Sequence, residues 1–312
     1  MRTLILVAAA SLAAVGSAQA AGLTDRPLVD AAWLDQHLGN ERLVVLDIRD
    51  TPKDAADLYA AGHVPGAVAA PYATYGWRAE VNGTPGMLPA VETLEQKIGA
   101  LGIDPDTHVV IVPAGETATD FGSATRVYWT FKVLGHDEVS ILEGGHKGWT
   151  AAGKPVSTDA VSPAAAAFKA EFRPQLLASA ADVKAAMDSP VELVDARPTA
   201  QYLGQQTAPV AKAPGTIPGA ANIANDLFYD GKSGKFADKA AIDTLLEQVG
   251  IAKDAPQIAF CNTGHWASVA WFGLSEVAGK QNVSMYDGSL AEWTKDAANP
   301  MVVYGATPAA AN

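Results

Sequence analysis

Residues 44–50 read VVLDIRD, and residues 192–198 read ELVDARP. Each is an apolar run that ends in an acid and, two places on, an arginine: Asp47 and Arg49, then Asp195 and Arg197. The repetition extends outward from there. GHVPGA (62–67) returns as GTIPGA (215–220), VVIVP (109–113) as QIAFC (257–261), and EGGHKGW (143–149) as DGSLAEW (287–293). The spacing is 148 positions from Asp47 to Asp195 and from Pro113 to Cys261, 153 from Gly62 to Gly215, and 144 from Glu143 to Asp287. Ordered motifs at near-constant long spacing mean a duplicated domain and not a solenoid, whose repeats are far shorter. The longer second spacing puts an extra loop, QQTAPVAKAP (205–214), in the second copy.

Within each copy, short apolar runs alternate with helical stretches. LVVLDI (43–48), HVVIV (108–112) and EVSILEG (138–144) are continuous enough to be strands covered on both faces. VETLEQKIGALGI (91–103) and SATRVYWTFKVLG (123–135) have helical composition and meet a glycine at the end. Their counterparts in the second copy are VELVDA, QIAF and NVSMYDG as strands, with helices at AAIDTLLEQVG (240–250) and ASVAWFGLSEVAG (267–279). Alternation of this kind predicts an α/β fold, each copy a mostly parallel sheet flanked by helices. The expected layout is a first copy over 23–152, a linker over 153–175 rich in Ala, Pro and Ser, a second copy over 176–300 and a tail at 301–312.

The first twenty residues, MRTLILVAAASLAAVGSAQA, combine an early cation, an apolar stretch and small residues at Ala18 and Ala20. That is the pattern of a cleaved secretory leader, so the expected location is the periplasm. The apolar stretch is short for a membrane-spanning helix, which needs about 20 residues. The 312-residue chain carries a net charge of −12, which argues against nucleic acid and anionic membrane surfaces as partners. Its six histidines and one cysteine show no metal-ligand spacing, and no phosphate-binding GxxxxGK[ST] loop is present, so neither a metal nor a nucleotide cofactor is expected.

Cys261 is the lone cysteine, so no disulfide can form within the chain. It ends the predicted strand QIAF and precedes a loop, Asn262, Thr263, Gly264, His265, Trp266 and Ala267, which is expected to enter a helix near Ser268. Ligands of parallel sheets bind outside the carboxyl ends of the strands. Loop amides and a helix N-terminus at such a point favour a thiolate and can cradle an anion. Gly264 permits the tight curvature.

Strand, Cys-x-x-Gly-x-x-Ala, helix, then Asp287-Gly288-Ser289 and Trp293 resembles the active domain of a rhodanese-type sulfurtransferase. The Asp-x-Arg strand ends, the Gly-x-x-Pro-Gly-Ala segments and Ser123-Ala124-Thr125-Arg126 in the first copy belong to the same pattern. The resemblance implies two tandem rhodanese domains, with only the second catalytic, since Pro113 stands where the first would carry its cysteine. It also implies thiosulfate- or 3-mercaptopyruvate-type sulfur transfer through a Cys261 persulfide. The partners would be a small-molecule or protein-borne sulfur donor and a thiol- or cyanide-type acceptor, with no cofactor, in a chain expected to be monomeric. Thiosulfate-using members carry a cation just after the cysteine, where this chain has Asn262 and Thr263. Gln201 stands where both subgroups often have an arginine before the Tyr202-Leu203-Gly204 segment, and Trp266 where mercaptopyruvate-using members have a threonine. Few local cations are therefore expected, and a bulkier or less charged donor follows from that reading.

Several candidates carry a structural reading beside the chemical one. Asp195 and Arg197 recur as Asp47 and Arg49 in the copy without a cysteine, which favours a loop-fixing charge pair; Arg197 is also a candidate substrate contact. Gln201 and Ser289 are candidate supports for loop or substrate. His265 either tunes the thiolate and shuttles a proton or is merely solvated, and Trp266 shapes the rim or packs on the first copy. Cysteine phosphatases, whose loop ends in an arginine, are a poor match because the corresponding positions are Ala267 and Ser268. A non-enzymatic sulfur carrier, redox sensor or partner-binding module is the alternative to an enzyme.

Overall fold

A computed structural model describes residues 22–252 and 254–304 of the chain. The leader predicted at 1–20 and the end of the predicted tail, from 305 on, lie outside the described residues.

Five parallel strands form a sheet in each copy, and the two sheets have the same order. In the first it runs Val68–Ala69, Leu43–Asp47, His108–Val112, Val139–Leu142, Leu28–Val29. In the second it runs Ala221–Asn222, Glu192–Asp195, Gln257–Phe260, Val283–Tyr286, Leu177–Ala178. The central strands are apolar at every position after the first. His108–Val112 and Gln257–Phe260 are buried at every position, because helices cover both faces. The register carries the duplication into three dimensions: Asp47 pairs with Val112 as Asp195 pairs with Phe260.

The edge strands are two residues long, and two small antiparallel hairpins sit outside the sheets: Ala79–Val81 with Thr84–Met87, and Tyr229–Asp230 with Lys235–Phe236. Segments so short have no readable periodicity. The helix predicted over 123–135 starts earlier, at Ala118, because the Thr117 side chain caps it by accepting from the Asp120 N–H. The helix after the cysteine also starts earlier than predicted, at His265, and widens from an α-helix at His265–Trp271 into a π-helix at Phe272–Val277. Gly273 lies in that wide turn, close under Phe228, where a side chain would collide with the ring.

Helices Ala118–Val133 and His265–Trp271 occupy equivalent places in the two copies and pack on each other. Their apolar faces join one continuous core that includes Phe121, Val127, Val269, Trp271 and Cys261 itself. The segment 153–173 is tied down along the first copy. Ser157 pairs with His63, Ala166 donates to Gly99, and Arg173 donates to Val133. Residues 301–304, predicted as tail, also return to the body: Val302 exchanges two backbone hydrogen bonds with Thr216 at 2.8 and 2.9 Å. Among the described residues, no helix is long and apolar enough to cross a membrane.

Candidate active site

Pro113 and Cys261 end equivalent central strands, and the backbone treats them alike. The carbonyl of Pro113 accepts from His146 N–H (2.8 Å) and that of Cys261 from Leu290 N–H (3.1 Å). The next carbonyls, of Ala114 and Asn262, accept from Lys147 and Ala291. The two loops then diverge in what they enclose. In the first copy the N–H groups of Ala114, Gly115 and Glu116 all donate to the carboxylate of Asp120, at 3.2, 2.5 and 3.1 Å. An anion of the protein's own thus plugs that cradle. In the second copy Ser268, at the same 148-position spacing, turns away to Thr125 Oγ1 (2.8 Å) and to the backbone of His265 and Gly122.

Gly264 closes the Cys261 loop with φ of +71°. A Cβ at this point would run into the Arg126 guanidinium and the Asp287 carboxylate, so the residue has both a conformational and a steric reason to be glycine. Ser289 pins the loop from below. Its Oγ accepts from the N–H of Cys261 (3.0 Å) and of Gly264 (3.2 Å) and donates to Tyr286 O (2.9 Å). Sγ of Cys261 is 4.0 Å from the same hydroxyl. Ser289 adopts φ of +48°, a costly conformation for a side-chain-bearing residue, and the three hydrogen bonds hold it there.

The cavity beside Cys261 has a volume of about 270 Å³ and is walled by both copies: Arg78 and Thr119 from the first, Cys261, Asn262, Thr263, His265 and Trp266 from the second. Trp266 both lines it and docks on the first copy, donating from Nε1 to Thr119 Oγ1 at 3.0 Å. His265 is half-buried, and both of its ring nitrogens are taken up by the first copy. Its Nε2 lies 2.8 Å from the Thr119 carbonyl, which can only accept, so Nε2 carries the proton and Nδ1 accepts from the Tyr72 hydroxyl at 2.8 Å. Burial of the ring, reinforced by the nearby Arg78 guanidinium, pulls the imidazole down to about 4. Burial also pushes the Tyr72 phenol up to about 12, keeping it a donor. A neutral imidazole with both nitrogens occupied is a clamp between the copies rather than a proton shuttle.

Arg197 is not in the cavity wall. It forks onto Asp195 (2.9 and 2.6 Å) and reaches Gly215 O (2.7 Å), as Arg49 forks onto Asp47 and reaches Gly62 O at the same distances. The geometry is that of the loop-fixing pair. Gln201 accepts from Asn262 Nδ2 at 2.8 Å and so orients the residue after the cysteine. Ala267 is buried in the shared core.

Three contributions escape a reading of the second copy alone. Arg78 puts a cation on the cavity wall, which corrects the expectation of a mouth thin in cations. Tyr72 and Thr119 hold His265. Beneath the loop, Arg126 of the first copy pairs with Asp287 (2.5 Å) and donates to Gly264 O (3.2 Å) and Gly86 O (3.1 Å). Arg126 was visible as part of a motif, whereas Arg78 carried no signal. Among the described residues, no group of three or more His, Cys, Asp or Glu side chains is placed to hold a metal ion.

Residues 30–152 and 179–296 each match the rhodanese-like domain. The chain is 31% identical over 306 residues to thiosulfate/3-mercaptopyruvate sulfurtransferase 2 of Arabidopsis thaliana, covering 89% of this chain and 87% of that one. It is 32% identical to human 3-mercaptopyruvate sulfurtransferase, with 86% of this chain and 92% of that one covered. The crystal structure of the Escherichia coli 3-mercaptopyruvate sulfotransferase SseA matches with a TM-score of 0.73 and 28% identity, over 85% of this chain and 98% of that one. Because both halves match, and the identity runs along nearly the whole of enzymes of one kind, the chain belongs to the rhodanese family as a tandem-domain sulfurtransferase.

Proposed function

We propose that Cys261 carries sulfur, as a persulfide, from a small-molecule or protein-borne donor to a thiol- or cyanide-type acceptor. The contrast between the two loops carries this reading. The first copy shows what the loop amides bind: an anion, supplied by Asp120. In the second copy that internal anion is gone and Ser268 points elsewhere; of the equivalent N–H groups, that of Gly264 donates to Ser289, and those of Asn262 and Thr263 are left for Cys261 and its ligand. Oriented amides of this kind stabilise thiolate and persulfide alike.

The cycle has two displacements. Sγ forms a bond to the donor's outer sulfur while the bond from that sulfur to the rest of the donor breaks, and its electron pair leaves with the donor remnant. The acceptor then forms a bond to the outer sulfur of the persulfide, and the S–S pair returns to Sγ as the thiolate. Ser289 holds the Cys261 backbone, and its hydroxyl lies beside Sγ, in both halves of the cycle. The test is thiocyanate production from cyanide with thiosulfate, 3-mercaptopyruvate and glutathione persulfide as donors. Turnover with at least one donor, abolished in Cys261→Ser, supports the reading; turnover retained in Cys261→Ser contradicts it.

Export belongs to the same proposal and rests on residues 1–20 alone. N-terminal sequencing of the protein isolated from its own host checks it, with a start at residue 21 as the expected result.

A further inference from the structure

Arg78 stands at the cavity wall without a counter-charge. Among the described residues it makes no ion pair. Asp50, which feels it at longer range, is instead held by the Ala73 N–H at 2.7 Å. The guanidinium is stacked over the Tyr72 ring, 4.7 Å from its centroid, which fixes its plane and leaves its N–H edge free. No carboxylate lines the cavity, and His265 beside it is neutral, so Arg78 is the cationic side chain among the lining residues. The second copy cannot supply another, because Arg197 is committed to Asp195 and Gly215.

Arg78 is also positioned with care. Trp77, next to it, is buried in the core and donates to Ala70 O at 3.1 Å. The hairpin that follows is held within its own copy by Arg126, which donates to Gly86 O, and is fastened to the second copy by Lys295, which donates to Asn82 O and Thr84 Oγ1, and by Leu88 N–H, which donates to the Asp287 carboxylate. A half-buried cation, held rigidly at a reactive sulfur with no partner of its own, is a receptor for an anion.

We propose that Arg78 is the specificity-determining grip of this site: it supplies, from the first copy, the cation for a donor's acid group that Asn262 and Thr263 in the loop do not. This rests on the sulfur-transfer reading above and assigns the residue that would hold a small anionic donor. A cavity of about 270 Å³ lies at the small end of ligand sites and suits such a molecule better than a protein segment. Where the sequence pointed to a less charged donor, the first copy returns the missing cation.

Two measurements on wild type, Arg78→Gln and Arg78→Lys test the proposal. In the first, kcat/KM is compared for thiosulfate and 3-mercaptopyruvate against a donor with no carboxylate or sulfonate, 2-hydroxyethyl persulfide. Arg78→Gln is expected to lower the ratio of the acid-bearing donors to the persulfide by about 10- to 100-fold, the loss of a charge-assisted contact, and Arg78→Lys to restore part of it. In the second, Cys261 is alkylated with iodoacetate and with iodoacetamide, where Sγ displaces iodide and no sulfur is transferred. The iodoacetate-to-iodoacetamide rate ratio is expected to fall about tenfold in Arg78→Gln. Equal losses for donors with and without a carboxylate or sulfonate, or an unchanged alkylation ratio, overturn the proposal. A shifted alkylation ratio with no turnover of any donor by wild type would uphold the anion grip and overturn sulfur transfer, so the two readings fail separately.

Discussion

The guanidinium of Arg126, in the first copy, pairs with the carboxylate of Asp287, in the second, at 2.5 Å with both side chains sealed from solvent. The pair lies directly under Gly264, and Arg126 also holds the carbonyl of that glycine. The catalytic loop of one copy is therefore shaped by a charge of the other, and the copy without a cysteine is part of the active site.

Removing one partner leaves the other charge buried and alone. Arg126→Gln or Asp287→Asn is expected to cost about 3–5 kcal/mol, measured by urea unfolding, with kcat/KM falling in parallel. The double substitution is expected to cost less than the sum of the singles, with a coupling on the order of 1–3 kcal/mol. Additive losses would show that the ion pair does not join the copies.

Ser289 supplies one oxygen to two loop N–H groups. Ser289→Ala leaves both N–H groups without that acceptor and is expected to destabilise the chain by about 2 kcal/mol or more. Ser289→Gly removes the same hydroxyl but relieves the φ of +48°, so about 1 kcal/mol of that loss is expected to return. Persulfide formation, followed by rapid quench, is expected to slow in both variants. A Ser289→Gly variant no more stable than Ser289→Ala would remove the strain from this account.

His265 makes the stability depend on pH with a definite sign. Free imidazole takes up a proton near 6.5, but the folded ring stays neutral down to about 4. Between those values the unfolded chain binds more protons than the folded one, so stability rises with pH across the window and is lost as pH falls through it. Urea midpoints from pH 7.5 to pH 4 are expected to fall in wild type. The slope is expected to be shallower in His265→Gln, and identical slopes would contradict the clamp.

The plugged cradle of the first copy gives a negative control. Pro113→Cys places a thiol where the repeat puts Cys261, yet Asp120 still occupies the loop amides. In a Cys261→Ser background it is expected to gain no sulfur under conditions that load wild type fully. Adding Asp120→Ser is expected to make the new thiol competent to some extent. Sulfur loading of Pro113→Cys with Asp120 intact would show that the cradle is irrelevant.

Most of the fold was legible because the duplication states it twice: VVLDIRD and ELVDARP end in the same Asp–Arg fork, and the two sheets share one strand order. The nucleophile was legible for a local reason, as the end of an apolar run before a glycine turn. What stayed hidden lies across the interface. Nothing near Arg78 in sequence places it beside Cys261, because the juxtaposition depends on the hairpin docking against Arg126, Lys295 and Asp287. His265 resembled a loop residue because its partners, Tyr72 and Thr119, come from the other copy. Edge strands such as Val68–Ala69 are too short to carry a pattern and exist only by pairing with a longer neighbour.

The most direct test of the central claim is the mass of the intact protein after brief exposure to a sulfur donor, with the modified peptide mapped. The account expects one added sulfur atom, located on the peptide containing Cys261, absent in Cys261→Ser and discharged by cyanide with release of thiocyanate. A wild-type chain that gains no sulfur from any donor, or that holds it where cyanide cannot remove it, would contradict the account.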